Sequence, residues 1–209
     1  RDSAYANLFL QVFGADALSN TPSAYDNIGR AIASFERSSQ VQKFTSRYDR
    51  NQLNNQEKRG AALVERKCAQ CHGTAPAPDG SAALFTNYSY ANIGVPANPL
   101  LAGNPTDRGL GGFLESDYHS AAPLIGDRAY AAQYGKFKVP TLRNVGRSAP
   151  YGHNGVFPTL GDAVDFHNTR DVAPWPAPEV EENMNTQDVG DMGLTATQVD
   201  DVVAFLMSL

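Results

Sequence analysis

Apolar residues recur every three or four positions near the start of the chain and predict two amphipathic helices there. The first lies in residues 1–14 and the second in residues 23–37, where Ser23 is placed to cap the helix. The apolar positions are Tyr5, Leu8, Phe9, Val12 and Phe13 in the first helix and Ile28, Ile32 and Phe35 in the second.

Three further helices are predicted where a capping residue precedes an apolar repeat. An asparagine in "NNQEKRGAALVERKCAQCH" opens a helix that leads to Cys68. Thr159 caps a short helix in "PTLGDAVDFHNTRD". Thr195, with Gln198 three residues later, caps a terminal helix whose apolar face contains Val199, Val202, Val203 and Leu206.

The middle of the chain, between about residues 73 and 135, has no sustained periodicity and is rich in Gly, Pro, Asn and Asp. Such composition predicts long loops, which need a body to pack against, and a buried cofactor would provide one. Strand patterns are weak throughout. We therefore predict an all-α, loop-rich fold.

Composition narrows the classes of function. The chain has 209 residues, 42% of them hydrophobic, and a formal net charge of -5, which suits one sizeable core. Its 17 Lys and Arg residues are scattered, so a nucleic-acid partner is disfavoured, whereas a small basic redox protein would be attracted electrostatically. The chain contains no run of about 18 apolar residues, so no membrane span is predicted. Because the sequence begins with Arg1, we expect a processed or partial chain.

Both cysteines lie in the stretch "RKCAQCHG", residues 66–73. A dithiol redox pair would need a βαβ context that is not evident, and a structural zinc site would need a fourth ligand at suitable spacing. A disulfide across two residues would be strained and would not require His72. Covalent attachment of a c-type haem uses every residue of the motif: Cys68 and Cys71 form thioethers, and His72 is the proximal iron ligand.

A second iron ligand can come from several histidines and methionines. The candidates are His119, His153, His167, Met184, Met192 and Met207. His119 has polar neighbours typical of solvent exposure, and Met207 is predicted to be part of the core because it lies in the terminal helix. His167 follows Ala163 and Val164 by four and three residues on one helix face, so its imidazole is expected on the apolar side, as a ligand or as a core histidine.

Nearly the whole chain resembles the bacterial di-haem cytochrome c peroxidases and their MauG-type relatives. The matching segments, in the order of that family, are "YDNIGRAIASFER" (25–37), "LNNQEKRGAALVERKCAQCHG" (53–73), "NIGVPANP" (92–99), "RGLGGFL" (108–114), "GKFKVPTLRNVGRSAPYGHNGVFPTLGDAVDFHNTRD" (135–171) and "LTATQVDDVVAFLMSL" (194–209). The resemblance implies a cytochrome c-like haem domain in residues 51–209 and, in residues 1–50, the tail of a preceding cytochrome c-like domain.

The resemblance also implies roles for individual residues. Cys68, Cys71 and His72 match the haem attachment site. His167 occupies the place of the distal ligand, where peroxidases usually have Met and MauG-type proteins Tyr, and Met184 or Met192 is the alternative. Bis-histidine ligation would lower the reduction potential relative to histidine and methionine. It would also close this iron to peroxide, so that peroxide chemistry belongs to another haem.

Other implied roles depend on single residues. His153 is expected beside the haem as a structural residue. Arg143 would pair either with a haem propionate or in a surface ion pair. Backbone carbonyls of Ser148 and Pro150 match a segment that contributes to a calcium site in the family.

Two functions remain open at this point. In one, the chain belongs to a peroxidase-type oxidoreductase and relays electrons from a small periplasmic donor protein to a second haem, in a missing N-terminal part or another chain. In the other, it is a mono-haem electron-transfer subunit of a larger complex. Either protein would be periplasmic, because haem c is attached outside the bacterial cytoplasm.

Overall fold

The computed structural model describes residues 4–76, 81–118 and 127–209 and is mostly helical. It forms two compact units, Arg1–Thr45 and Ser46–Leu209. The helices are α1 (Ala6–Phe13), α2 (Thr21–Glu36), α3 (Asn55–Lys67), α4 (Gly109–Phe113), α5 (Asp127–Ala131), α6 (Leu160–Thr169) and α7 (Ala196–Leu206). Within these described ranges, no helix has the length and apolar character needed to cross a membrane.

The first unit contains the two predicted N-terminal helices. Helix α2 begins earlier than predicted, because the side chain of Asn20 accepts a hydrogen bond from the backbone N–H of Ser23. Asn20 is therefore the cap, and Ser23 lies inside the first turn; the prediction of Ser23 as the cap was wrong. Neither α1 nor α2 buries a residue. The exposed apolar side chains include Leu8, Val12, Ile28, Ile32 and Phe35.

The second unit is built on the packing of α3 against α7. Each helix starts with a capping box, formed by Asn54 and Glu57 in α3 and by Thr195 and Gln198 in α7. The helices approach closely at Gly60, where a Cβ would lie 2.8 Å from Phe205 Cβ. The core at this crossing contains Leu63, Val64, Phe85, Leu160, Val202, Phe205, Leu206 and Leu209.

Helix α6 carries the third capping box, in which Thr159 and Asp162 hold each other's backbone N–H groups. Its other end belongs to a smaller apolar cluster formed by Val95, Phe157 and Phe166. Trp175, in the loop after α6, packs edge-on against Phe166 with ring centroids 5.3 Å apart. The capping pattern of the sequence thus located α6 correctly, and its buried face comes from tertiary packing.

The described residues between about 73 and 135 are mainly loops, as predicted, and loops also precede α6. Two short strands, β1 (Tyr90–Ala91) and β2 (Phe137–Lys138), pair in antiparallel fashion with Tyr90 opposite Lys138. Single helical turns of 3₁₀ type lie at Pro99–Leu101 and Val145–Arg147, and a π-type turn lies at Leu114–Tyr118. These loops surround a cavity between α3, α6 and α7.

Candidate haem site

Cys68, Cys71 and His72 lie on one turn at the end of α3. Cys68 is the C-cap residue, and its backbone N–H donates to Val64 O at 2.8 Å. The N–H groups of Cys71 and His72 then both donate to Cys68 O, at 3.2 and 2.8 Å. The backbone therefore brings both thiols and the imidazole to the same place without a disulfide, since both cysteines are unbridged.

A cavity of about 470 Å³ lies beside this turn and contains Cys68, Cys71, His72 and His167 in its lining. Its walls are mostly apolar, with Val64, Ile93, Val95, Phe137, Val139, Leu142, Phe157, Leu160, Val164 and Leu206 among them. The volume falls in the range of small-molecule and cofactor sites. Two thiols and two imidazoles in one apolar cavity fit a covalently attached haem, whose macrocycle needs apolar walls and whose iron needs axial ligands.

The imidazole of His72 is held by the loop that follows the haem motif. Its Nδ1 lies 3.0 Å from Phe85 O, and since a carbonyl can only accept, Nδ1 carries the proton and Nε2 is the nitrogen that can bind a metal. Burial keeps the pKa of His72 below its ordinary value, and the carbonyls of Phe85 and Pro140 oppose this only in part. The ring is therefore neutral, as a metal ligand must be.

His167 is held in the same way within α6. Its Nδ1 donates to Ala163 O, one turn earlier, at 2.7 Å, which again leaves Nε2 for a metal. Burial lowers the pKa of His167, opposed by the Ala163 carbonyl and reinforced by the charge of Arg170. The charge of His167 in turn contributes to the low pKa of His72, so the two imidazoles are close enough to interact.

The thiols are suited to covalent attachment rather than to thiolate chemistry. Burial, with a contribution from Cys71, raises the pKa of Cys68 to about 11. Burial and the carboxylate of Asp188 raise the pKa of Cys71. Reactive dithiols need lowered thiol pKa values. Among the described residues, moreover, no group of three or more His, Cys, Asp or Glu side chains is placed to hold a metal ion.

The three methionines differ in position. Met192 lines the cavity, whereas Met184 does not and instead lies against Gly94. Met207 is 61% exposed, so the prediction that it packs in the core was wrong; α7 ends at Leu206, and Met207 follows on the solvent side. His119 lies outside the described residues. Of the methionines, Met192 is therefore the one that lines the cavity with His167.

His153 lines the cavity but is engaged by other side chains. Its ring stacks on Phe137 with centroids 3.6 Å apart, and its Nε2 lies 3.2 Å from Glu179 Oε2. Glu179 also accepts hydrogen bonds from Asn154 Nδ2 and from the backbone N–H of Asp107. Although burial raises the pKa of the Glu179 carboxyl, these hydrogen bonds lower it below its ordinary value. This carboxylate joins three loops at the cavity wall.

Arg143 does not line the cavity. Its Nη1 donates to both carboxylate oxygens of Asp49, at 2.8 and 2.9 Å, and its Nε donates to Ala83 O. The two side chains are 9% and 10% exposed, so the ion pair that was one of the two expectations for Arg143 is present, but it is buried rather than superficial. Ser148 and Pro150 do line the cavity, and calcium binding by their carbonyls stays a prediction.

The sequence analysis missed the polar groups that surround the haem motif. Gln70 Nε2 donates to Asp188 Oδ2 at 3.3 Å, and Asn185 Nδ2 donates to the same oxygen at 2.8 Å. Asp188 follows Cys71 by more than a hundred residues. Lys67 Nζ donates to Met192 O at 3.1 Å. No local pattern in the sequence indicates these contacts, because they join segments that only the fold brings together.

The known proteins that this chain is similar to agree with the assignment of a haem site. Residues 57–209 match the family model described as cytochrome c. The chain is 32% identical over its whole length to the methylamine utilization protein MauG of Paracoccus denitrificans, covering 57% of that protein. It is 30% identical to cytochrome-c peroxidase IdrP1 of Denitromonas iodatirespirans over 98% of this chain and 54% of that protein.

Solved structures of a diheme peroxidase and a MauG-like protein also resemble this chain. The diheme peroxidase BthA from Burkholderia thailandensis has a TM-score of 0.72 and 28% identity, covering 99% of this chain and 56% of its own. A MauG-like protein associated with microbial copper homeostasis has a TM-score of 0.61 and 27% identity, covering 100% of this chain and 59% of its own. The chain thus spans about half the length of the curated relatives it matches. It belongs to the cytochrome c family, and its relatives within that family are MauG and the di-haem cytochrome c peroxidases.

Proposed function

We propose that this chain is the electron-transfer haem domain of a peroxidase-type oxidoreductase. Cys68 and Cys71 would attach one haem c, and His72 and His167 would hold its iron. The observation that carries the proposal is that the partly buried imidazoles of His72 and His167 line one apolar cavity, each with its Nδ1 bound to a backbone carbonyl. Iron in a haem needs only these two ligands from the protein, which fits the lack of a larger metal-binding group among the described residues.

The bound haem would supply a reversible one-electron change at its iron. The residues of the chain hold and insulate it. The carbonyls of Phe85 and Ala163 fix the tautomer and ring orientation of His72 and His167. The apolar walls exclude water from the macrocycle and thereby influence the potential. With both imidazoles on the iron no position would be open to peroxide, so the haem held by His72 and His167 would pass electrons.

The peroxide-reacting haem belongs to another part of the parent protein. The structural relative BthA is itself described as a diheme peroxidase, and this chain spans 56% of it. We assign residues 1–50 to the tail of a preceding cytochrome c-like domain and residues 51–209 to the domain described above. In support, α1 and α2 bury no residue of their own, which is the character of helices that complete their core with other chain segments.

The electron donor in this proposal is a small, basic redox protein of the periplasm. The net charge of -5 would steer such a partner towards the chain. The periplasmic location follows from the attachment chemistry, since thioether formation takes place outside the bacterial cytoplasm. Both assignments rest on the haem-binding motif and on the family.

Optical and low-temperature EPR spectra of the haem-loaded chain test the ligation. We expect one low-spin, bis-imidazole haem that does not readily bind cyanide when oxidised or carbon monoxide when reduced. Ready binding of either ligand would contradict the assignment of His167 and would move peroxide chemistry to this haem. His153→Ala is the matched control, because His153 lines the same cavity but is bound to Glu179, and it should leave the low-spin spectrum unchanged.

A kinetic comparison tests the electron-transfer role. The reduced chain alone should be oxidised by hydrogen peroxide only slowly. The parent protein that also contains the second haem domain should react rapidly and should use electrons from this haem. Rapid oxidation of the isolated chain by peroxide would overturn the role as a relay.

A further inference from the structure

Arg170 lies one turn after His167, at the C-cap of α6, and its side chain is only 5% exposed. Each nitrogen of its guanidinium donates at least one hydrogen bond. Nε and Nη2 donate to the two carboxylate oxygens of Asp171, at 2.7 and 2.6 Å. Nη1 donates to Ile93 O at 2.9 Å, and Nη2 also donates to Val189 O at 3.2 Å. A buried, forked cation of this kind fixes several backbone segments at once.

These bonds tie the turn that carries His167 to the walls of the cavity. Ile93 and Val189, whose carbonyls Arg170 binds, both line the cavity. The same connection continues through the backbone, since Gly190 N–H donates to His167 O at 2.7 Å and Asp171 N–H donates to Gly190 O at 2.9 Å. Movement of this turn would move the imidazole, so the guanidinium restrains the direction of His167 Nε2.

The charge of Arg170 is only partly neutralised near the imidazole. Its counter-ion, Asp171, has a side chain that is 34% exposed, whereas that of Arg170 is 5% exposed. Solvent therefore screens the carboxylate more than the guanidinium. The positive end of this ion pair is thus bound to two segments of the cavity wall, through Ile93 O and Val189 O, while its negative end is the more exposed to solvent.

We propose that Arg170 is a positioning residue for the distal ligand and that its buried charge raises the reduction potential of the haem that His167 binds. The proposal rests on the proposed function, because it requires His167 on the iron. A fixed positive charge favours the ferrous state over the more positive ferric state. Arg170 therefore offsets part of the lowering of the potential that a second imidazole causes. The guanidinium fork and the charge are separable contributions.

Three single variants of the haem-loaded chain separate the effect of the guanidinium fork from that of its charge. For each variant, the midpoint potential and the rate at which cyanide replaces the distal ligand are measured. Arg170→Gln removes the charge and the fork, and we expect a lower potential and faster replacement. Arg170→Lys keeps the charge but not the fork, so the potential stays near that of the unmodified chain while replacement is faster. Asp171→Asn removes the counter-charge, and we expect a higher potential. A shift of about 59 mV corresponds to a tenfold change in the ferrous-to-ferric ratio of a one-electron couple.

Opposite shifts for Arg170→Gln and Asp171→Asn would support the proposal, since a loss of packing cannot give opposite signs from two partners in one ion pair. Shifts in the same direction, or none, would overturn it while the unmodified chain still shows a bis-imidazole EPR spectrum. If Arg170→Gln does not fold, Asp171→Asn decides the matter by itself. A midpoint potential in Asp171→Asn that is no higher than that of the unmodified chain overturns the proposal. Absence of the bis-imidazole spectrum in the unmodified chain would instead overturn the proposed function.

Discussion

His72 and His167 line the same cavity, and each imidazole donates its Nδ1–H to a backbone carbonyl, that of Phe85 at 3.0 Å and that of Ala163 at 2.7 Å. The ring of His72 comes from the turn after α3 and that of His167 from α6, and their partners differ: a loop carbonyl for His72 and a carbonyl one turn earlier for His167. The shared result is a neutral ring with Nε2 available to a metal. This pairing underlies the proposed ligation.

Replacement of His167 by methionine should raise the reduction potential of the bound haem. A thioether favours ferrous iron more than an imidazole does, so His/Met ligation has the higher potential. Redox titration of His167→Met against the unmodified chain measures the shift. An unchanged potential and spectrum would mean that another residue, of which Met192 is the cavity-lining example, occupies the distal position.

Removal of both thiols should abolish covalent attachment. In Cys68→Ala/Cys71→Ala no thioether can form, so any haem should be extracted by acidified organic solvent and should be absent from the protein band after denaturing electrophoresis. Each single variant should retain one thioether and a shifted pyridine haemochrome spectrum. Haem that resists extraction from the double variant would contradict the assignment, since these are the two cysteines of the chain.

Substitution of Gly60 by alanine should destabilise the second unit. A Cβ there would lie 2.8 Å from Phe205 Cβ and closer still to the Asp201 carbonyl oxygen, so α3 and α7 would have to separate. We expect a loss of about 1–3 kcal/mol in the free energy of unfolding. Gly161→Ala in α6 is the control, because the nearest atom, Thr159 Oγ1, is 3.6 Å away. Thermal unfolding should show a lower Tm for Gly60→Ala alone.

Loss of the carboxylate of Asp49 should destabilise the fold more than loss of an exposed carboxylate. In Asp49→Asn the guanidinium of Arg143 stays buried, with a side chain 9% exposed, and loses its counter-charge. We expect a cost of about 3–5 kcal/mol. The control, Glu115→Gln, breaks the pair with Arg108, whose side chains are 48% and 50% exposed, and should cost less than about 1 kcal/mol. Equal losses in denaturant titration would contradict this account.

The same pair should make stability depend on pH. Burial raises the pKa of Asp49, but hydrogen bonds from Ser46 and Arg143 outweigh it and hold the pKa below the ordinary 3.8. A carboxyl with a lowered folded-state pKa stabilises the protein above its unfolded-state pKa, and this contribution is lost as the pH falls through the folded-state pKa. The unmodified chain should therefore lose stability below about pH 3.8, and Asp49→Asn should lose less over that window.

Local signals in the sequence were sufficient for the attachment motif and for most helix starts. Asn54, Thr159 and Thr195 cap α3, α6 and α7, because a cap depends on residues within one turn of each other. The sequence suggested Ser23 as the cap of α2, but the cap is Asn20, three residues earlier, which accepts a hydrogen bond from the Ser23 N–H. Both residues are suitable caps within one turn of each other, so local sequence did not distinguish them. His167 was placed on the apolar side of its helix by spacing alone.

The amino-acid sequence by itself determined the covalent motif, the helical class and the residue types available to an iron, because each depends on neighbours in the chain. Only the tertiary structure decided what surrounds them. It paired Arg143 with Asp49, joined Arg170 to Ile93 and Val189, and placed Met184 against Gly94 rather than in the cavity lining. These contacts join residues far apart in sequence, and each depends on how loops without periodicity pack around the cavity.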